Sequence, residues 1–208
     1  NVIGLSGISF GMLGTFATAG FDILTAVQAA TLLGAGGFAG YKIAQKVGPT
    51  ELPQTVAAFH SLVGLAACAT AAGDFAHHAA AGDTLDTFHN VAIYGGMVIG
   101  SITATGSVIA FGKLNGNLGS APLALPMRDP LNVGMGAMTL AAGAGFLTGS
   151  PATAAACLAV GAVVPGALGA HMTASIGGAD MPVVITLLNS YSGWALCSEG
   201  FMMDKPLL

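Results

Sequence analysis

The sequence predicts an all-α fold, a polytopic membrane helix bundle with about seven transmembrane helices. Three features support this prediction: a shortage of charged residues, a series of apolar stretches of membrane-spanning length, and an abundance of glycine. All three are visible before any motif is considered, and together they place most of the chain in lipid.

The shortage of charge is the strongest of the three features. Only 7% of the 208 residues are charged, 54% are hydrophobic, and the mean hydropathy is +0.78. A soluble domain carries about 25% charged residues. Disordered and collagen-like chains are excluded as well, because the hydrophobic fraction is high and the glycines follow no three-residue period. No nucleic-acid partner is expected.

The apolar stretches are long enough to cross a bilayer, since a helix needs roughly 20 residues for a hydrocarbon core of ~30 Å. The 32 glycines suit helices whose backbones pack closely in lipid. Short connections predict that neighbouring helices are antiparallel, and two further loops are longer, at Gly73–Thr87 and Lys113–Pro130. The predicted spans are Val2–Thr18, Ile23–Val47, Leu52–Ala72, Phe88–Gly112, Leu131–Leu147, Ala152–Ile176 and Met181–Met203.

The charges fall on two sides of the predicted bundle. Helix counting places four of the five basic residues on one side, which are Lys42, Lys46, Lys113 and Arg128. The opposite side receives Lys205 and most acids, which are Asp22, Asp74, Asp83, Asp86 and Asp204. Because basic residues concentrate in loops that stay inside, the first side is predicted to face the cytoplasm or the matrix.

Polar side chains are predicted to meet at one depth below this inner surface. His60 and Asn189 each lie seven residues after a proline near the start of their helix, which is about 10 Å along the axis. Ser107 precedes Lys113 by six residues, about 9 Å along its own helix, and Thr103 lies one turn deeper on the same face. Such a layer is what a proton or ion path requires.

The last span has a polar stripe. Thr186, Asn189, Ser192 and Gly193 are spaced to share a helix face, and Asp180 lies at its mouth. Polar groups inside a membrane are costly, which favours a functional role. His60 suits proton transfer, since imidazole titrates between pH 5 and 8. For Asn189, an interhelical hydrogen-bond clamp is an equally good interpretation.

Other polar residues give weaker signals. His77, His78 and His89 flank the acidic outer loop, but their spacing is too loose to predict a metal site, and no metal ligand is assigned. Glu199 near the outer face is either a proton entry or an interfacial carboxylate, and His171 near the inner end is interfacial. The three cysteines lack metal-type spacing and are interpreted as small buried residues.

Three segments resemble a known family. LPQTVAAFHSLVGLAA (Leu52–Ala67), GSVIAFGKL (Gly106–Leu114) and GGADMPVVITLLNSYSGWALC (Gly177–Cys197) are similar to the beta-type membrane domain of proton-translocating nicotinamide nucleotide transhydrogenase. The resemblance covers nearly the whole chain in order. It implies that proton movement inward across the membrane is coupled to hydride transfer from NADH to NADP⁺.

The resemblance also implies roles for individual residues. His60 corresponds to the family's membrane histidine on the proton path, and Asn189 to its partner asparagine. Asp180 matches a surface acid near the soluble NADP(H)-binding domain, and Ser107 a further polar position of the channel. In this interpretation Asn189, Ser107 and Thr103 orient water beside His60.

The resemblance further implies what completes the enzyme. We expect residues 1–208 to be one transmembrane proton-channel domain of a longer or split protein, without a bound cofactor. NADP(H) and NAD(H) are expected in partner domains, alongside further transmembrane helices, lipid and a second copy of the complete enzyme. The expected location is the mitochondrial inner membrane, with the bacterial cytoplasmic membrane as the alternative.

Two other functional classes remain open from the residues themselves. A secondary transporter or channel for a small solute would use the sixth span, which Pro165 and Gly166 interrupt, as a midplane site. A structural membrane anchor would explain the hydrophobicity and the glycine, although not the polar layer.

Overall fold

A computed structural model describes residues 2–18, 20–83, 86–124 and 127–203. Within these ranges the chain is all-α, as predicted, and forms seven α-helices together with short 3-10 turns. The helices are α1 (Val2–Thr18), α2 (Ile23–Ala44), α3 (Leu52–Ala81), α4 (Thr87–Leu114), α5 (Arg128–Thr148), α6 (Pro151–Ala174) and α7 (Met181–Met202).

Five of these helices, α2 to α6, are long and apolar enough to span a membrane. α1 is apolar but has 17 residues, and α7 has 22 residues that include its polar stripe. The predicted spans therefore agree with the helices to within a few residues, with one exception at the end of α3. Asp204 and Lys205, which the sequence predicts on the outer side, lie outside the described residues.

The exception is a correction to the predicted loop at Gly73–Thr87. α3 does not end at Ala72 but continues to Ala81, where Gly82 closes it in the left-handed conformation with φ 72°. The helix continues because the residues after Asp74 are mostly alanine, the best helix former. Two more turns of helix therefore extend beyond the predicted span.

The chain divides into two compact units, residues 1–49 and 50–208. The first contains α1 and α2, whose apolar side chains are exposed, as expected for helices that face lipid. Asp22 caps α2 by accepting a hydrogen bond from the Thr25 amide at 3.3 Å. Hydrogen bonding to Thr25 lowers the pKa of this carboxyl, which lies between the two helices. The single-domain assignment stays a prediction.

The second unit is a bundle of α3 to α7 built around α4. More than half of the α4 spanning stretch is buried, because α4 packs against α3, α6 and α7. α3 also contacts α7, and α5 packs mainly on α6. The polar residues of α3, α4 and α7 are therefore on helices that touch one another.

Close backbone contacts set the register of this bundle. A Cβ on Gly64 of α3 would lie 2.4 Å from the Ala104 nitrogen and 2.6 Å from the Gly100 oxygen of α4. A Cβ on Gly169 of α6 would lie 2.6 Å from the Ile102 oxygen of α4. Only glycine permits these approaches, which is the usual role of small residues between membrane helices.

The register also shows the direction of each helix. Gly95 of α4 lies beside Ser198 of α7, whereas Gly106 lies beside Leu188, so these two helices are antiparallel. We call the end of the bundle where α4 and α6 finish the inner end. The end where α3 and α7 finish is the outer end. Asp180 is at the inner end, and the acidic loop after α3 is at the outer end.

Candidate functional site

The structure brings the two predicted central residues into contact. His60 on α3 and Asn189 on α7 lie with Nε2 and Oδ1 2.8 Å apart, a hydrogen-bond distance. The two residues are separated by 129 positions in sequence, so the contact depends on the packing of α3 against α7. His60 is half-buried and Asn189 is exposed on the face that the bundle of α3 to α7 leaves open.

A second hydrogen bond decides how His60 can carry a proton. Its Nδ1 lies 2.9 Å from the Val56 carbonyl oxygen, one turn earlier on α3. A carbonyl only accepts, so Nδ1 carries a hydrogen and donates it. Proton exchange is therefore confined to Nε2, the nitrogen that faces Asn189.

The amide of Asn189 suits both protonation states of that nitrogen. When Nε2 is protonated, it donates to Oδ1, as the distance in the structure allows. When Nε2 is deprotonated, a half turn of the amide presents the Nδ2 hydrogens to the lone pair instead. Asparagine can thus hold the ring through a full proton cycle without carrying charge.

The polar stripe of α7 is split between two surroundings. Thr186, Asn189 and Gly193 are exposed, whereas Ser192 is buried in the bundle. Thr186 and Ser192 each donate to backbone oxygens of their own helix, Ser192 to the Leu188 oxygen at 3.2 Å. Of the four stripe residues, Asn189 is the one that bonds across to the imidazole.

Ser107 and Thr103 lie inside the bundle on α4. Their exposed fractions are 0% and 1%, and neither hydroxyl has a hydrogen-bond partner in the described part of the chain. A Cβ on Gly106 would lie 3.3 Å from the Leu188 side chain of α7. The next residues, Ser107 on α4 and Asn189 on α7, are therefore at about the same height in the bundle. The two hydroxyls are therefore close to the predicted level, although they do not bond directly to His60 or Asn189.

Asp180 lies at the inner end, exposed, as the last residue of a 3-10 turn that leads into α7. Its side chain makes no capping hydrogen bond with α7. Just before it, the Gly178 amide donates to the Ser120 oxygen at 2.8 Å. A Cβ on Gly178 would meet the Ser120 side chain at 3.0 Å, so glycine here provides room for the α4–α5 loop.

Lys113 is a residue whose role the sequence did not reveal. The sequence predicts only an inner-side charge here, but Lys113 is buried, and its ammonium donates three hydrogen bonds. The acceptors are the carbonyl oxygens of Ala121 at 3.2 Å, Ala174 at 2.7 Å and Ile176 at 2.6 Å. Lys113 thus ties the C-terminal end of α6 to the loop that leads to Asp180. Its place on the last turn of an apolar helix gave the signal of an ordinary interfacial lysine.

A second histidine–asparagine contact lies between α5 and α6. His171 Nδ1 lies 2.7 Å from Asn132 Oδ1, and its Nε2 is buried without a partner in the described residues. His171 is half-buried, so it is not a fully exposed interfacial residue. Glu199 on α7 is also half-buried, and it lies on the helix face that points into the bundle with Ala195 and Met202.

Comparison with known proteins shows which family the chain resembles over its length. The family model for the NAD(P) transhydrogenase beta subunit matches residues 1–208. NAD(P) transhydrogenase subunit beta of Rhodospirillum rubrum is 41% identical over 212 residues, which cover 100% of this chain and 45% of the relative. The same subunit from a culture-collection strain of that species gives the same figures. The chain therefore spans about half the length of these relatives.

The comparisons bear on the open functional classes. The full-length family match favours the transhydrogenase interpretation over a solute transporter, and the apolar helices agree with an integral membrane protein. The residues on which the sequence resemblance depended lie on α3, α4 and α7, which pack together. With a match over its whole length, the chain belongs to the NAD(P) transhydrogenase beta-subunit family.

Proposed function

We propose that this chain is the proton-translocating membrane part of an NAD(P) transhydrogenase. In the complete enzyme, it couples inward proton movement to hydride transfer from NADH to NADP⁺ in nucleotide-binding domains. The single observation that supports this proposal most strongly is the hydrogen bond between His60 and Asn189, two polar side chains on separate apolar helices.

The proton step takes place at His60 Nε2. A proton from the outer side binds this nitrogen and gives an imidazolium that donates to the Asn189 oxygen. Loss of the proton to the inner side leaves a lone pair, and the Asn189 amide turns to donate to it. The Val56 carbonyl keeps Nδ1 as a donor throughout, so the ring does not have to change tautomer.

Water completes the path beside this pair. The hydroxyls of Ser107 and Thr103 are buried and lack protein partners in the described chain, and buried hydroxyls of this kind are satisfied by ordered water. Each hydroxyl donates and accepts, so it can orient a water molecule for transfer in either direction.

Coupling to hydride transfer is proposed to act through the loop that contains Asp180. In this proposal the Asp180 carboxylate, which is exposed, meets the NADP(H)-binding domain at the inner end. The loop is tied to α4 through Lys113 and to the α4–α5 loop through Ser120, so a shift of Asp180 is transmitted to the start of α7. Asn189 is nine residues further along this helix, about 14 Å away.

The proposed setting includes further components. NADP(H) and NAD(H) are bound by partner domains rather than by this chain, and further transmembrane helices cover the open face beside Asn189. We propose a dimer of the complete enzyme in the mitochondrial inner membrane. The bacterial cytoplasmic membrane is the alternative, and the relatives from Rhodospirillum rubrum fit it.

The test is the replacement His60→Ala in the complete enzyme. Because a positioned acid–base group contributes about 10²–10⁴-fold to the rate of its step, proton-coupled hydride transfer should fall at least about 100-fold. Hydride transfer and proton uptake are measured together in sealed vesicles with a pH-sensitive dye.

The matched control is His77→Ala, which removes an exposed histidine from the same helix. It should leave both rates close to those of the wild type. Full coupled activity in the His60→Ala enzyme would defeat the proposed role of this histidine.

A further inference from the structure

Four titratable side chains converge at the outer end of the bundle, away from the His60 pair. Asp74 and His78 lie one turn apart near the end of α3, Asp83 follows the helix, and His89 is in the first turn of α4. The extension of α3 beyond its predicted end creates this cluster, because it places Asp74 and His78 on one helical face.

The distances within the cluster are short. His89 Nε2 lies 2.6 Å from Asp74 Oδ2, and His78 Nε2 lies 3.6 Å from Asp74 Oδ1. Ligand atoms of Asp74, His78 and His89 all lie within 4.8 Å of one another. The other nitrogen of His78, Nδ1, lies 3.1 Å from Asp83 Oδ2.

His78 cannot satisfy both carboxylates while it is neutral. A neutral imidazole has one N–H, and donating it from Nδ1 to Asp83 leaves the Nε2 lone pair facing the Asp74 carboxylate. A lone pair opposite a carboxylate is repulsive unless a proton or a metal cation lies between them. In metal sites, a carboxylate on one ring nitrogen commonly holds a histidine so that the other nitrogen binds the metal.

Burial and charge also favour a cation at this position. The side chains of Asp74, His78 and His89 are 18%, 25% and 20% exposed, so they are withdrawn from water but accessible to an ion. Asp83 adds a second negative charge. In the described part of residues 50–208, the basic residues Lys113 and Arg128 both lie at the opposite, inner end.

We propose that Asp74, His78 and His89 bind a divalent transition-metal ion of the zinc type, with Asp83 positioning His78. Two imidazoles and one carboxylate are a ligand set that zinc accepts, with water in the fourth position. Metal–ligand bonds of ~2.0–2.1 Å at tetrahedral angles hold the ligand atoms about 3.3 Å apart. Loading therefore requires His89 and Asp74 to separate by less than 1 Å from their hydrogen-bonded distance, and ligand atoms that lie up to 4.8 Å apart to approach by about 1.5 Å.

The ion would join the end of α3 to the start of α4. It would lie 14 residues from His60, about 21 Å along α3, so it would not contact the proton-carrying pair. Its expected effect is on the stability of the α3–α4 connection. This proposal does not depend on the function proposed above.

The experiment uses the purified chain in detergent, stripped of metal with a chelator and titrated with Zn²⁺ in a calorimeter. We expect one equivalent to bind the wild type and to raise its Tm. His78→Ala and His89→Ala should each weaken binding more than about 10-fold, and Asp83→Asn about 10–100-fold, the effect of losing a supporting carboxylate. Co²⁺ should give the visible absorption bands of a tetrahedral site.

The matched control is His77→Ala. His77 is the residue before His78, and the two rings lie 5.3 Å apart, but it is not among the three proposed ligands. Binding in this variant should stay within about threefold of the wild type. Helix content from circular dichroism shows which variants fold. If an alanine variant does not fold, His89→Asn is measured in its place.

Two results would overturn the proposal. One is a wild-type chain that binds no Zn²⁺ beyond the level of the folded His78 and His89 variants. The other is a loss in His77→Ala as large as in His78→Ala, which would show that Zn²⁺ collects on surface histidines without a defined ligand set.

Discussion

At the scale of single residues, the Val56 carbonyl determines what His60 can do. Because this oxygen can only accept, it fixes the hydrogen on Nδ1 and leaves one nitrogen for exchange. Asn189 has a role in this step although its side chain carries no charge. It offers a donor and an acceptor on one rotating group, so it can follow the imidazole through both states.

This reasoning predicts the effect of Asn189→Asp in the complete enzyme. The new carboxylate accepts but cannot donate, so it should hold His60 in its protonated form and slow proton release. We expect proton-coupled hydride transfer to fall roughly 100-fold, the lower end of the range for acid–base groups. The ¹⁵N chemical shifts of the imidazole ring should report a protonated His60 at neutral pH.

The matched control is Asn132→Asp, which makes the same change at the other histidine–asparagine contact, beside His171. Coupled turnover should be affected much less there. A neutral His60 ring together with normal turnover in Asn189→Asp would contradict the amide-turning step.

At the scale of helices, the position of His60 depends on how closely α3 approaches α4. The two backbones touch at Gly64, one turn after His60, where there is no space for a side chain. The sequence showed many glycines and predicted close packing, but it could not show which glycine makes a contact. Gly64 and Gly73 look alike in the sequence, yet the second has open space around it.

This difference gives a prediction with its own control. Gly64→Ala should destabilise the chain by about 1–3 kcal/mol, because its Cβ would overlap backbone atoms of α4 and push the helices apart. Gly73→Ala on the same helix should be neutral or stabilising by up to ~1 kcal/mol, since alanine is the better helix former. Thermal unfolding in detergent measures both.

If Gly64→Ala unfolds at the same temperature as the wild type, the close approach of α3 and α4 is not what holds them together. Its effect on function should follow its effect on packing, because His60 lies on the displaced turn. Coupled activity in the complete enzyme should therefore fall in Gly64→Ala and not in Gly73→Ala.

At the scale of the whole molecule, the sequence predicts correctly the features that depend on a regular period or on a count of residues. Helix length, loop count and rise per residue predicted seven helices and the meeting of His60 with Asn189. The sequence does not predict the features that depend on contacts between distant parts of the chain. The burial of Lys113 depends on carbonyls that α6 and its loop bring from 61 and 63 residues away. The outer cluster depends on the end of α3, which lies at Ala81 rather than at the predicted Ala72.

The distribution of basic residues predicts which end of the bundle of α3 to α7 faces the inside. Lys113 and Arg128, at the inner end, orient the bundle by the positive-inside rule. In a background without Cys68, Cys157 and Cys197, Asn117→Cys places a thiol in the exposed α4–α5 loop. Ala79→Cys places one on the exposed last turns of α3.

A membrane-impermeant thiol reagent applied to inside-out vesicles should label Asn117→Cys and spare Ala79→Cys until the vesicles are opened. Right-side-out vesicles should give the reverse. Labelling of both positions from one side would contradict the antiparallel count of α3 and α4. An exchanged pattern would instead contradict the charge rule and would place Asp180 on the outer side. Because the proposed coupling requires Asp180 to meet the NADP(H)-binding domain at the inner end, that exchange would also remove its physical basis.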